Sequence, residues 1–295
     1  MTEMFRSKLF RAGAVLLFGL GCASATQAPA SLSASKIQSP SLSVTETSDA
    51  SLVFVSVPSD ASGKVPEVRF VEKKIPLYPV EGGWEGVVPV PYLQPSGESR
   101  IEVHGWGTQT LSLPFQVRQS VYQSERLTVD PSKVRPKKKD LLRIKKESAM
   151  IKRVYRSITP KKYWSGNFEI PVRSEFTSPY GTKRVYNGMM TGSHQGVDLR
   201  APTGTPIYAP APGRVAFVYD MFLTGHTIVL DHGYGLFTVY AHLSRPDVKV
   251  GQEVRTQDLL GLAGGTGRVS GPHLHWGAVI HDVKVNPQSL LQGMR

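Results

Sequence analysis

Gly271-Pro272-His273-Leu274-His275-Trp276 is the stretch on which the reading of the C-terminal half turns. A strand that begins after Gly-Pro sends residues i and i+2 to the same face. The imidazoles of His273 and His275 then enter one cavity, while Leu274 turns the other way into a core. Upstream, His194-Gln195-Gly196-Val197-Asp198 adds an imidazole and a carboxylate. Gly196 between them lets the backbone turn sharply enough for both side chains to reach one ion. Catalytic zinc takes three protein ligands from His and carboxylate and keeps a fourth position for water. His194, Asp198 and one of the two histidines of the His-Leu-His element satisfy that rule and leave an imidazole to spare.

Taken one at a time these signals are weak. A His and an Asp four residues apart are common by chance in surface turns. His242, after the strand-like Phe237-Thr238-Val239-Tyr240, has the position of a structural hydrogen-bonding residue, and a His-x-His pair can simply be exposed. Seven of the eight histidines follow residue 190, which concentrates the chemistry in the C-terminal half, and four of the seven form a pattern. Three of those seven stand outside the pattern. Asp231-His232-Gly233 reads as a turn between two strands, and His226 and His281 as surface or groove residues. His104 and Trp106, far upstream, read as packing or surface residues.

Outward from the histidines, the C-terminal half is rich in Gly, Pro, Val and Tyr. Arg214 to Tyr219, Thr227 to Leu230, Leu236 to Ala241 and Leu274 to Ile280 are strand-like runs between Gly-rich turns, which predicts an all-β domain over 163–295. Before it, residues 131–162 form a basic helical connector. From Pro136 to Ser157 a loosely amphipathic pattern runs without Gly or further Pro. Lys133 to Lys162 carries thirteen Lys and Arg against Asp140 and Glu147, a net of +11 of the chain's +12. A solvated helix face explains such a run, and so does contact with an anionic envelope polymer or lipid surface.

Residues 51–130 alternate in short runs, Leu52 to Val57, Val68 to Val71, Trp84 to Val90, Ile101 to His104 and Leu111 to Val117, between Pro-, Gly- and Asp-containing breaks. That spacing predicts a β-sandwich of immunoglobulin-like kind. Residues 26–50 are rich in Ser, Ala, Pro and Thr and read as a flexible leader without fixed structure. Residues 1–25 read as a signal peptide: Arg6, Lys8 and Arg11, then the apolar run Ala12 to Leu20, then Ala23-Ser24-Ala25 as the cleavage pattern. Cys22, the single cysteine, ends an imperfect lipobox and offers a competing lipidation site. With the cut after Ala25 no cysteine remains, so no disulfide or thiolate ligand is available. The chain reads as exported, periplasmic or attached to the cell envelope. It carries no transmembrane span after the signal, and nucleic acid is not an expected partner.

The order His-x-x-x-Asp, isolated His, His-x-His resembles the lysostaphin-type (LytM-like) zinc endopeptidases of bacterial cell walls. Thr177-Ser178-Pro179-Tyr180-Gly181, the run from Ala201 to Pro210, Gly271 to Trp276 and Val285-Asn286-Pro287 add to the resemblance, which covers about residues 165–292. It implies a catalytic domain of duplicated hybrid motif. It also implies one Zn²⁺ held by His194, Asp198 and His275, with His242 and His273 as an unligated acid–base pair beside a metal-bound water. The implied substrate is the peptide portion of peptidoglycan. The resemblance also admits catalytically silent regulators of other wall hydrolases, which lack one or more of these five residues. A third reading, a lipoyl-type carrier suggested by Val250-Gly251-Gln252-Glu253-Val254, has no attachment lysine and leaves the histidines unexplained.

Overall fold

The computed structural model describes residues 39–294, and the expected signal peptide and lipobox lie outside the described residues. The fold is mainly β. Its first strands are β1 (Ser41–Leu42), β2 (Glu46–Ser48), β3 (Leu52–Pro58), β4 (Glu67–Phe70), β5 (Lys73–Ile75), β6 (Leu77–Val80), β7 (Gly83–Pro89), β8 (Gly97–His104) and β9 (Leu111–Arg118). They form two sheets, in the orders β1-β3-β7-β6 and β2-β9-β8-β4-β5. One apolar core joins them: Val53, Val55 and Val57 of β3 meet Val68, Phe70, Ile101, Val103, Phe115 and Val117 of the facing sheet.

The expectation of an unstructured leader up to residue 50 is corrected at its C-terminal end. Ser41–Leu42 pairs antiparallel with β3 and Glu46–Ser48 parallel with β9. These short, polar strands carry little apolar periodicity of their own. They are ordered by backbone hydrogen bonding to sheet edges, which composition does not reveal.

Strand β3 reads as a nearly unbroken apolar run because both of its faces are covered. Its odd residues enter the sandwich core, while Phe54 on the opposite face packs with Tyr78, Val87, Trp164, Phe168, Leu236 and Ile280. The last four belong to the C-terminal region. This second apolar layer therefore ties the N-terminal sheets to the C-terminal strands.

After β9 come β10 (Ser124–Leu127), α1 (Pro131–Val134) and α2 (Lys138–Tyr155). Asp130 caps α1 through a hydrogen bond from Ser132 N, with Pro131 in the first turn, where its missing N–H costs nothing. Helix α2 turns Met150, Ile151, Val154 and Tyr155 onto Phe217, Met221, Val229, Phe237, Val239 and Val279.

The remaining strands are β11 (Phe176–Ser178), β12 (Lys183–Tyr186), β13 (Met190–Ser193), β14 (Val197–Leu199), β15 (Pro206–Tyr208), β16 (Gly213–Met221), β17 (Gly225–Gly233), β18 (Leu236–Pro246), β19 (Glu253–Val254), β20 (Leu259–Ala263), β21 (Leu274–Ile280) and β22 (Val283–Val285). Ten strands form one sheet with the path β11-β14-β21-β18-β17-β16-β19, on which β15, β20 and β22 branch. Its even-numbered β21 residues Leu274 and Trp276, with Tyr240, Ile228 and Leu230, enter the main core. Separately, β10, β12 and β13 form a small three-stranded sheet, with β10 parallel to β12. No helix among the described residues is long and apolar enough to cross a membrane.

Candidate metal centre

The antiparallel register of β14 with β21 sets Asp198 opposite His275, and that of β18 with β21 sets Ala241 opposite His275. Three chain segments distant in sequence thereby meet. His194 Nε2, Asp198 Oδ1 and His275 Nδ1 form a triangle whose three edges are each 3.0 Å. Ligand atoms around a tetrahedral zinc with bonds of about 2.0–2.1 Å lie roughly 3.3 Å apart, so the triangle has the size such an ion needs.

The protonation pattern fits as well. The Nδ1–H of His194 donates to Pro179 O at 3.0 Å, with Ser178 Oγ at 3.3 Å. A carbonyl can only accept, so in the neutral ring Nε2 carries a lone pair, aimed at a carboxylate oxygen. Two acceptors at 3.0 Å require a cation between them or a shared proton. Burial works against charge on Asp198, yet its neighbours His194 and His275 outweigh this and hold the carboxyl well below its usual pKa. Burial holds His275 down to about 4, so this ring is neutral at neutral pH. An ionised carboxylate and neutral imidazoles are the forms a metal binds.

The remaining two histidines flank the triangle. His242 donates Nδ1–H to Thr266 O at 2.8 Å, and His273 donates Nδ1–H to Gly271 O at 2.9 Å. Both rings are thus left with Nε2 as the free basic atom, and their centroids lie 4.9 Å apart. His273 Nε2 is buried without a hydrogen-bond partner, 3.5 Å from Asp198 Oδ1. Burial, reinforced by His273 and His275, keeps His242 neutral well below its ordinary pKa. His242 also holds φ +63, a left-handed conformation that a non-glycine residue adopts at a cost. Its backbone N–H donates to Thr224 O at 2.9 Å, which holds the backbone in this conformation.

All five residues singled out in the sequence come together, and three of them, Asp198, His242 and His273, line a cleft of about 290 Å³ with Glu125, Tyr186, Arg268 and Pro272. A larger apolar hollow of about 500 Å³ beside Phe70, Pro89 and Val283 holds none of the four imidazoles. Size alone does not mark the site.

Two expectations need correction, and one gains a second reason. Gly196 stands at a bend, as expected, and is also a contact glycine: a Cβ there would lie 2.5 Å from His275 Cε1 and 2.7 Å from Trp276 O. His232 lies within β17 rather than in a turn, fully buried, with Nδ1 bonded to Pro212 O at 2.7 Å and Nε2 to Thr238 Oγ1 at 2.8 Å. His281 bonds Val87 O of β7 at 3.0 Å, so it joins the C-terminal region to the sandwich.

Sequence reasoning missed Arg184 on β12. Its Nη2 donates to Asp198 Oδ2 and, at 2.9 Å, to Ser178 Oγ, and its Nε donates to Glu125 on β10. Asp198 is therefore held with Oδ2 occupied and Oδ1 free for the triangle. Nothing in Lys183-Arg184-Val185-Tyr186 distinguishes this arginine from a surface cation. Its role follows from the pairing of β10 with β12, a contact across about 60 residues.

A family model for peptidase family M23 matches residues 192–287, the segment that holds all five residues. Over more of the chain, a solved structure described as a putative peptidase M23 from Pseudomonas aeruginosa is 30% identical. The match covers 82% of this chain and 94% of that one, with a TM-score of 0.64. The chain belongs to peptidase family M23. Among M23 relatives, peptidoglycan DD-endopeptidase ShyA of Vibrio cholerae is 40% identical over 36% of this chain and 23% of its own length. The DD-carboxypeptidase/endopeptidase Mpg of Neisseria meningitidis is 38% identical over 42% of this chain and 29% of its own length. The chain thus spans about a quarter of the length of these curated relatives.

Proposed function

We propose that this chain is a zinc-dependent endopeptidase that hydrolyses peptide cross-links of bacterial peptidoglycan. The observation that carries the reading is the 3.0 Å triangle of His194 Nε2, Asp198 Oδ1 and His275 Nδ1 on an open cleft, with two further imidazoles beside it. The names of the V. cholerae and N. meningitidis relatives support the substrate class.

His194, Asp198 and His275 would hold the ion. Bound zinc supplies a Lewis acid for a carbonyl oxygen and lowers the pKa of a water to about 7. The chain's own part is proton handling and placement. His242 and His273, each fixed by an Nδ1–H bond to a carbonyl, present Nε2 to take a proton from the attacking water and return one to the leaving amine nitrogen. Arg184 keeps the Asp198 carboxylate from rotating. A silent regulator, the alternative within the same family, is expected to lack one or more of these five residues, and all five converge here.

In this reading residues 51–130 form an immunoglobulin-like accessory module, 131–162 a basic connector and 163–295 the catalytic domain. The protein acts after export, in the periplasm or at the envelope, with Cys22 as a candidate lipid anchor.

Metal content and the digestion of purified peptidoglycan test the proposal together. Stoichiometric zinc and peptides released at a cross-link are expected. The His242→Ala variant should keep its zinc and lose about 100-fold in rate. A zinc-free protein that releases nothing, or full activity in His242→Ala, overturns it.

A further inference from the structure

The buried side of α2 is accounted for by its packing on the sheet, but its outer side is not. Leu141 and Leu142 are 54% and 63% exposed on the first turns of the helix. Around them stand Lys137, Lys138 and Lys139, and one turn further on Lys145 and Lys146, all exposed. None of these five lysines forms an ion pair with a described residue. The cations that do pair, Arg143 with Glu147 and Asp220 and Arg156 with Asp282, lie toward the sheet. Asp140 is the one acid on this stretch.

We infer that the outer side of α2 docks on an anionic lipid bilayer. Lysines alone would suit any polyanion, and adjacent exposed leucines alone would suit an apolar groove. The combination fits a surface that is negative at the headgroups and apolar just beneath. There the leucines enter the acyl boundary, and the lysine stems lie along it with their ammonium groups at the phosphates. A soluble polymer gives the leucines nothing to bury.

The fold ties the helix to the cleft through its buried side. Val279 of β21 lies under the helix, and His275, four residues earlier on the same strand, shares that face of the sheet. The segment Phe222–Thr224 links the two. Phe222 N donates to Glu147 Oε2 of α2 at 2.8 Å, Leu223 O accepts from Arg268 N of the cleft wall, and Thr224 O accepts from His242 N. Docking of this kind does not depend on the catalytic reading.

Co-sedimentation of the full chain with vesicles tests it, using phosphatidylcholine alone and phosphatidylcholine mixed with phosphatidylglycerol. Binding is expected only to the mixed vesicles and should weaken with added salt. Leu141→Gln with Leu142→Gln keeps the charge and should weaken binding about 10-fold. Lys145→Gln with Lys146→Gln should weaken it about 25-fold, near fivefold per lysine. Circular dichroism checks that each variant is folded, and residues 1–38 are the same in all, so the comparison reads the helix. Equal binding by wild type and both variants, or none by wild type, overturns the inference. Loss through the lysines with no effect of the leucines also overturns it, in favour of a soluble polyanion.

Discussion

A methyl group at position 196 would fall 2.5 Å from His275 Cε1 and 2.6 Å from Nε2, well inside contact distance. The ring cannot retreat easily, because Trp276 beside it is fully buried. Gly196→Ala should therefore displace the His275 imidazole from the triangle while the sheet stays folded. Zinc affinity, measured by chelator competition, is expected to fall at least about 10-fold with a native circular dichroism spectrum. Native affinity in that variant would show that the ring has room the packing does not suggest. At this scale the sequence was legible in donor chemistry. His194, Asp198, His242, His273 and His275, singled out by residue type, spacing and family resemblance together, lie side by side in the structure. The contact that Gly196 makes was not legible, since a glycine that serves a turn alone and one that also serves a contact look alike in a sequence.

Among the elements, β10 shows how a short, polar strand can matter to a site far from it in sequence. It carries Glu125, which holds Arg184, which in turn holds Asp198. Glu125→Gln removes the charge that orients the guanidinium and should weaken zinc binding about 10-fold. Arg184→Met should cost more, because Asp198 Oδ2 is then buried without its cation. Titration of the two variants with zinc checks the order; an unchanged affinity in Arg184→Met would remove Arg184 from the site. The longer elements were legible to within a few residues. The run Leu236 to Ala241 extends to Pro246, and the helical pattern from Pro136 to Ser157 forms Lys138–Tyr155. The missed strands, β1, β2 and β10 among them, are two to four residues long and owe their order to a neighbour's edge.

For the molecule as a whole, buried histidines couple stability to pH. His232 is held down to about 4 by burial, partly offset by its bond to Pro212 O, against 6.5 for an exposed ring. The unfolded chain therefore takes up a proton at higher pH than the folded one. This contribution is complete above pH 6.5, falls as pH drops, and is exhausted near pH 4. For one such ring the loss at pH 5 is about 2 kcal/mol. Urea midpoints should fall between pH 7.5 and pH 5, and His232→Gln should flatten that slope while starting from lower stability. A slope unchanged by the substitution would assign the effect to other groups. His281, also held down to about 4 by burial, sits where the C-terminal region meets β7, so mild acid should loosen that contact too.

The sequence by itself determined the set of donor side chains, the mainly β character and the division of charge, because strand alternation and side-chain type are local properties that a few consecutive residues express. Only the tertiary structure decided that one carboxylate and four imidazoles meet at one site with Arg184 behind them, and that β3 is covered on both faces. Convergence across some 80 residues is set by strand register and by packing of distant side chains, which no local pattern encodes.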